Sequence, residues 1–547
     1  MQLFLTNSNK RVYPSAKVGD YSTPYIAKGE ILNYQVSLYN NQHSMVDCEI
    51  TIDSKNEILT RLCDFVILKG HSTVVPVHDV DGIDEYRVPE VLTPTNKVSV
   101  MPYETRTFWI RVTTKADIKS GEYKDLIKVH CVNKEFGEDE TPWEETIEAK
   151  YVVSEKAITK KRCIDCLHWF YADSISDYYK LPLWSEEFWA MCKKWMKDYA
   201  DHGNTYIYLP LFTPPLDGVK KPTQLVDVKI ENGKYIFDFT KAAKWVKLAK
   251  ECGIDHFEVV HLFSQWGVEH PIRIYKNTEF NLTPTNTKFY DKDIELGSQE
   301  DKDNLVIDIE GPATSGEYRE FLFQFFPAFK AFCEEYGIYD NLYFHVSDEP
   351  QEGHLENYKK AFDMLKELKP DIKIMDALSE RSFSDKMPID MPIPSISRET
   401  FNDITHGTYF CCGPRKEYIN RLMDTPLYKT RMLGSIMYKK NSKFFLHWGY
   451  NYYYVSQTRT LIDPYEEHCG GNYPGWAPGD TFVVYPGEDG PLDSIRWENF
   501  FDTLQDFDLL SNLEIDPNCE ELKDLETFQF FPRDPDFIWD LRKKLLS

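Results

Sequence analysis

Leu342-Tyr343-Phe344-His345-Val346-Ser347-Asp348-Glu349-Pro350 is an apolar, strand-forming run that ends in two adjacent carboxylates and a proline. Proline holds its predecessor in extended backbone and donates nothing to a ladder, so the strand stops here. A carboxylate pair at the mouth of a buried strand can do acid/base chemistry, whereas the same pair on a surface turn does nothing. Neighbouring residues of a regular strand point to opposite faces. Asp348 and Glu349 therefore reach one substrate only where the strand has already ended.

Around this run the chain alternates strand, loop and helix. Eight strands are expected, at 164–170, 205–211, 257–263, 342–346, 372–375, 393–396, 408–411 and 444–448. Between them, Leu355, Tyr358, Phe362, Leu365 and Leu368 fall on one helical face, as do Phe188, Trp189, Cys192, Trp195 and Tyr199, with Ser185 as N-cap. A further helix is expected over 238–252, stopped by Gly253. Eight β/α alternations predict a parallel sheet closed into a (β/α)8 TIM-like barrel. The segment in front reads differently. Residues 30–39, 48–52 and 107–112 alternate apolar and polar, and further short strands are expected at 65–68, 73–77, 126–132 and 146–153. Short alternating segments between Asn, Gly, Pro and Asp turns predict a β-sandwich. The expected fold class is thus multidomain β plus α/β. A sandwich domain spans 1–155, and a barrel catalytic domain with a C-terminal extension spans 156–547.

Composition narrows the function. With 63 Lys and Arg against 88 Asp and Glu, the net charge is −25, which repels phosphate backbones and anionic membranes. Nucleic acid and membrane are therefore not expected partners. No signal peptide or membrane-spanning run is apparent, and twelve scattered cysteines fit a reducing cytoplasm better than a disulfide scaffold. Aromatic residues make up 15% of the chain, a supply of amphipathic rings suited to sugar faces.

In a barrel the active site lies at the C-terminal strand ends. Asp348-Glu349 would stand beyond the fourth strand. His168-Trp169-Phe170-Tyr171, His261-Leu262-Phe263-Ser264-Gln265-Trp266 and His447-Trp448-Gly449-Tyr450-Asn451-Tyr452 finish the first, third and eighth. Two close carboxyls do not both ionise cheaply, so one is kept protonated, as a proton donor to a glycosidic oxygen requires.

The ordered set His345-Val346-Ser347-Asp348-Glu349-Pro350, His447-Trp448-Gly449-Tyr450-Asn451, Gly479-Asp480-Thr481-Phe482-Val483-Val484-Tyr485-Pro486-Gly487 and Ser494-Ile495-Arg496-Trp497-Glu498 resembles glycoside hydrolase family 123. The resemblance spans essentially the whole chain, including the all-β module in front. It implies an exo-acting, retaining β-N-acetylgalactosaminidase that uses the substrate's 2-acetamido oxygen as nucleophile through an oxazolinium intermediate. It implies Glu349 as general acid/base and Asp348 as the group orienting the acetamido nitrogen. Trp448 and Tyr450 are then expected in the pocket wall, His168, His261 and Trp266 as hydroxyl or stacking contacts, and His345 and Asn451 as further substrate-binding residues. One departure stands out: relatives commonly carry Arg-Asp-Gly where this chain has Phe501-Asp502-Thr503. That change bears on subfamily and substrate more than on chemistry.

The implied partner is an oligosaccharide or glycoconjugate, with no cofactor and no metal. Two alternatives remain open at this level. A two-carboxylate glycosidase without an acetamido requirement would pair Glu349 with Asp376, and a non-catalytic carbohydrate-binding protein would use neither. Cys163-Ile164-Asp165-Cys166-Leu167-His168 has metal-like spacing but lacks a second cysteine pair, so core thiols are expected there. Cys411-Cys412 is a vicinal pair read as ordinary buried thiols, and Arg496 with Glu498 as a structural salt bridge.

Overall fold

The computed structural model describes residues 1–72, 86–134, 141–213, 223–265, 267–276, 303–308, 311–398, 401, 406–456, 458 and 460–547. The expected strand at 73–77 lies outside the described residues.

Up to Ala157 the chain forms strands β1 (Gln2–Asn7), β2 (Tyr25–Lys28), β3 (Ile31–Tyr39), β4 (Val46–Asp53) and β5 (Glu57–Ile67). It continues with β6 (Arg87–Thr93), β7 (Lys97–Val100), β8 (Thr105–Thr113), β9 (Gly121–Asn133) and β10 (Trp143–Ala157). They make two five-stranded sheets, in the orders β1-β3-β8-β5-β6 and β2-β10-β9-β4-β7. All pairings are antiparallel except β2 with β10. Val36, Leu38, Ile110 and Val112 of one sheet share a buried core with Ile50, Ile127 and Val129 of the other. Their period of two delivers apolar side chains to a single face of each sheet.

The polar positions of β3 are buried as well. The reason is the helix Ile495–Asn512, which lies over the outer face of that sheet. Asn33 donates to Glu498 (3.1 Å) and Asp502 (3.0 Å), and Arg111 meets Glu498 at 3.0 Å. Arg61 contacts both Asp493 and Glu498. A second cluster joins Arg431 to Asp502 and Asp506, and Arg542 to Asp506 and Glu30. Arg496 reaches Glu90 of β6 at 2.6 Å, so Arg496 and Glu498 each pair with the front sheet instead of with each other. Breaking one partner of such a buried pair strands the other charge, at a cost of about 3–5 kcal/mol.

The remaining strands are β11 (Asp165–His168), β12 (Tyr206–Leu209), β13 (Asp227–Glu231), β14 (Lys234–Asp238), β15 (His256–Val259) and β16 (Leu342–Phe344). They continue with β17 (Met375–Leu378), β18 (Met391–Pro394), β19 (Thr408–Tyr409), β20 (Phe444–His447), β21 (Val484–Gly487) and β22 (Gly490–Asp493). Eight of them run parallel. β12 pairs with β15 and β15 with β16. A bridge from Phe344 to Ile374 leads to β17, which pairs with β18. The Ser395–Tyr409 bridge leads on to β19, which pairs with β20, and β20 pairs with β11. The Thr205 amide donates to the Cys166 carbonyl at 3.0 Å, joining β11 to β12. Each expected strand of this region has a counterpart. The fifth starts later than expected because the chain is still turning at Ile372, whose amide bonds the Lys369 carbonyl (3.0 Å).

The helix Glu186–Asp201 begins at Ser185, whose hydroxyl accepts from the Phe188 amide (3.1 Å), and its Trp189, Cys192, Trp195 and Tyr199 are buried. Helix Leu355–Leu368 buries Tyr358, Phe362 and Leu365. Among the described residues no helix is long and apolar enough to cross a membrane.

Candidate active site

The β16 strand ends at Phe344, six residues before Pro350. From there the chain is held by its neighbour: the Val346 amide donates to Asp376 (3.0 Å), and the Glu349 amide donates to the Ala377 carbonyl (3.2 Å). Glu349 has φ +41°, a left-handed conformation that a non-glycine residue adopts at a cost of about 1–3 kcal/mol. That turn lets two sequence neighbours line one cavity. The cavity, of about 130 Å³, is bounded by Asp348, Glu349, Trp169, Gln265, Ala377, Tyr409, Phe410, Cys411, Cys412, Leu446, Trp448, Trp476 and Asp480.

Asp348 accepts a hydrogen bond from Gln265 Nε2 at 2.9 Å. Burial, and next the charge of Glu349, push its carboxyl well above the ordinary carboxylate range. Glu349 accepts from the Tyr409 hydroxyl. Burial and then the Glu349 charge push the Tyr409 phenol up, so it remains a donor.

Beneath the pair lies a charged floor. His345 is fully buried, 2.6 Å from Glu258 and 3.1 Å from Asp376. Burial alone would lower its imidazole, but the two carboxylates outweigh burial and raise it to about 10. Trp169 Nε1 donates to Glu258 (2.9 Å), and the Tyr358 hydroxyl donates to Asp376. An imidazolium under Asp348 draws its carboxyl back toward the ionised form.

Across the cavity, Trp448 Nε1 donates to Asp480 Oδ2 at 3.1 Å, and the Trp448 and Trp476 rings pack at 5.1 Å. Asp480 is buried, its Oδ1 has no hydrogen-bond partner, and burial pushes its carboxyl well up. The loops carrying Trp448 and Asp480 touch through Gly449: a Cβ there would stand 1.9 Å from the Asp480 carbonyl oxygen. The two motifs quoted above are therefore halves of one wall.

The structure brings Asp348, Glu349 and Trp448 together in the cavity. Of the other expected binding residues, those described lie elsewhere. His168 is buried between Asn204 (2.7 Å) and Arg421 (2.6 Å). His261 is buried with its ring 4.4 Å from His345 and edge-on to Trp169, and its Nδ1 is 3.2 Å from the Tyr208 hydroxyl. Tyr450 donates to Asp198 (2.9 Å) in the core, and Asn451 bonds both backbone groups of Tyr171 (2.8 and 3.0 Å). His345 forms the floor, and Trp266 lies outside the described residues. Asp376, the expected partner of Glu349 in the two-carboxylate alternative, is buried beneath the cavity by Val346, His345 and Tyr358.

Trp169, Gln265, Tyr409, Trp476 and Asp480 line the cavity without being among the expected site residues. Trp169 and Gln265 each adjoin an expected one, and Asp480 sits inside a quoted motif. Among the described residues Asp198, His202 and Asp493 have the spacing of a metal site, but Arg61 already contacts Asp493 there. Cys163 and Cys166 are free thiols, Cys166 buried.

The family model of the glycoside hydrolase 123 catalytic domain matches residues 169–513. The chain belongs to glycoside hydrolase family 123. This hydrolase is similar over 100% of its length, and over 97% of the other chain, to a family 123 glycoside hydrolase from Clostridium perfringens solved in a study of glycolipid glycan hydrolysis. The TM-score is 0.72 and the identity 15%, a likeness of fold. Shorter matches cover 24% of the hydrolase at TM-scores of 0.14. They are the MSP-domain protein SSP-19 of Caenorhabditis elegans (12% identity, 92% of that chain) and a PapD-like domain of human CEP192 (13% identity, 80% of that chain). Comparison with curated proteins gives no match.

Proposed function

We propose that this glycoside hydrolase removes a terminal β-linked N-acetylhexosamine, N-acetylgalactosamine above all, with retention and with the substrate's own acetamido oxygen as nucleophile. The observation that carries the reading is the convergence of two sequence-adjacent carboxyls, Asp348 and Glu349, on one cavity with different partners. The close pair holds one proton between its two carboxyls, and with Asp348 drawn toward its ionised form by the His345 imidazolium that proton leaves through Glu349, steadied by Tyr409, to the glycosidic oxygen as the bond to the anomeric carbon breaks. Asp348, oriented by Gln265, accepts the acetamido N–H while the acetamido oxygen closes on that carbon to form the oxazolinium. Glu349 then takes a proton from the water that opens the ring. Trp448 and Trp476 offer faces to the sugar, and Asp480 Oδ1 accepts from a ring hydroxyl. An acceptor buried without a partner in a cavity is satisfied by its ligand.

The eight parallel strands are, in this proposal, a (β/α)8 barrel whose C-terminal rim carries the site, behind a sandwich domain ending near residue 155. The substrate is an oligosaccharide or glycoconjugate, a class that includes the glycolipid glycans whose hydrolysis was studied with the Clostridium enzyme. Twelve free thiols support a reducing, cytoplasmic setting. The second reading, a two-carboxylate mechanism, is favoured only by Asp480 across the cavity.

Hydrolysis of nitrophenyl glycosides tests the choice. Turnover of the N-acetyl-β-galactosaminide, inhibited by its thiazoline, is expected. Equal turnover of the 2-hydroxy sugar, or indifference to the thiazoline, overturns substrate assistance.

A further inference from the structure

Cys411 and Cys412 have no role in the reaction above, yet both line the same cavity, part-exposed, with their sulfurs 3.8 Å apart. Their backbone is anchored on all sides. The Cys411 amide bonds the Gly413 carbonyl (3.0 Å), and Asn420 holds the Cys411 carbonyl (2.9 Å). Arg415 holds the Cys412 carbonyl at 2.5 Å and is itself fixed to the carbonyls of Ser72 (2.7 Å) and Gly475 (2.8 Å). These bonds hold the backbone that carries both side chains toward the cavity.

The 3.8 Å between the sulfurs bears on what the pair can take. A disulfide would draw the sulfurs in to about 2.05 Å. One soft centre bound to both thiolates by bonds of about 2.3 Å, at angles of about 90–110°, spans about 3.3–3.8 Å between sulfurs. We propose that Cys411 and Cys412 form a dithiol site for a trivalent arsenical, and that its capture closes the glycan cavity. The lining residues Glu349, Trp448 and Asp480 share the space the arsenical's substituent would occupy. A cavity of this size is of the order that admits a benzene ring, about 150 Å³.

The step is a ligand exchange without redox change. A hydrated arsenical R–As(OH)2 gains two As–S bonds and loses two As–O bonds. The two thiol protons leave with the hydroxyls as two waters, and arsenic stays trivalent. Cys412 is the first nucleophile. The hydrogen bond from Cys411, against burial and with help from Arg415, brings its thiol down to about 7, while Cys411 is pushed up. The cross-strand pair Cys48–Cys131 has the same 3.8 Å separation but is buried in the sandwich core, out of a reagent's reach.

The test treats the full chain with phenylarsine oxide at neutral pH and reads intact mass and peptide map. The expected result is one phenylarsenic per chain, bridging Cys411 and Cys412 and absent from both C411S and C412S. On the unaltered chain, the arsenical should also shield the pair from iodoacetamide, a readout independent of how the variants fold. Glycoside hydrolysis should be lost and then restored by 2,3-dimercaptopropanol but not by 2-mercaptoethanol. No adduct, an adduct undiminished in either variant, or unchanged hydrolysis with the pair occupied overturns the proposal. A chain that captures arsenic yet hydrolyses no acetamido glycoside refutes the substrate assignment and leaves the dithiol site standing.

Discussion

His345 joins the stability of the fold to the chemistry above it, and its titration gives a quantitative test. The imidazole is fully buried between Glu258 and Asp376, with the His261 ring at 4.4 Å and Asp348 among the groups its charge acts on. Against the opposing effect of burial, the two carboxylates raise it to about 10, whereas an unfolded histidine titrates near 6.5. The folded state therefore holds this proton more tightly. The resulting stability is fully present below about pH 6.5 and is lost as pH climbs through about 10. At 1.36 kcal/mol per unit, the single-group loss between pH 7 and 10 is roughly 3–4 kcal/mol. Replacing His345→Gln removes the titrating group and leaves Glu258 and Asp376 facing each other without a cation. Urea unfolding of the two proteins at pH 7, 8, 9 and 10 should show the wild type more stable at pH 7, with the difference shrinking toward pH 10. A difference that stays constant over that range refutes the imidazolium floor.

Glu349→Gln should remove nearly all turnover of an unactivated substrate while the circular dichroism spectrum is unchanged. Asp348→Asn should slow oxazolinium formation by about 10²-fold or more and weaken thiazoline binding, since a positioned proton acceptor contributes on that scale; unchanged inhibition would remove Asp348 from the acetamido group. Asp480→Asn should lower kcat/KM by roughly 3- to 10-fold, the net worth of a hydrogen bond to the neutral carboxyl that burial favours. A substrate lacking the hydroxyl that Asp480 binds should be insensitive to the change, and equal sensitivity of every deoxy analogue would contradict that role. Arg431→Ala strands Asp502 in the buried junction, while Asp506 keeps Arg542, and should cost about 3–5 kcal/mol in urea unfolding, with KM unmoved.

Much of the architecture was legible because local patterns repeat with the right period. Alternation over 30–39 and 107–112 marked two sandwich strands, and the apolar face of 355–368 marked a helix. The hairpin of β13 and β14 is not among the expected strands, although Asn232-Gly233, both with positive φ (52° and 74°), carries the signature of a two-residue hairpin turn. Within the site, the strand ends are legible in the sequence, but which residue of each end faces the cavity is not. At the first strand end Trp169 lines the cavity while His168 bonds Asn204 and Arg421, and at the third Gln265 lines it while His261 sits below. On strands of three or four residues, period-two alternation is too short to say which side faces inward.

Composition and order of motifs in this chain determined its family, its two kinds of secondary structure and the carboxylate pair, because each is written in contiguous residues. That Asp480 and Cys411-Cys412 face the cavity of Asp348 and Glu349, and that Glu258 and Asp376 close on His345, was decided by tertiary structure alone, because these residues come from distant segments of the chain. Burial and charges contributed by distant segments shape their chemistry, and neither quantity exists until the chain has folded around them.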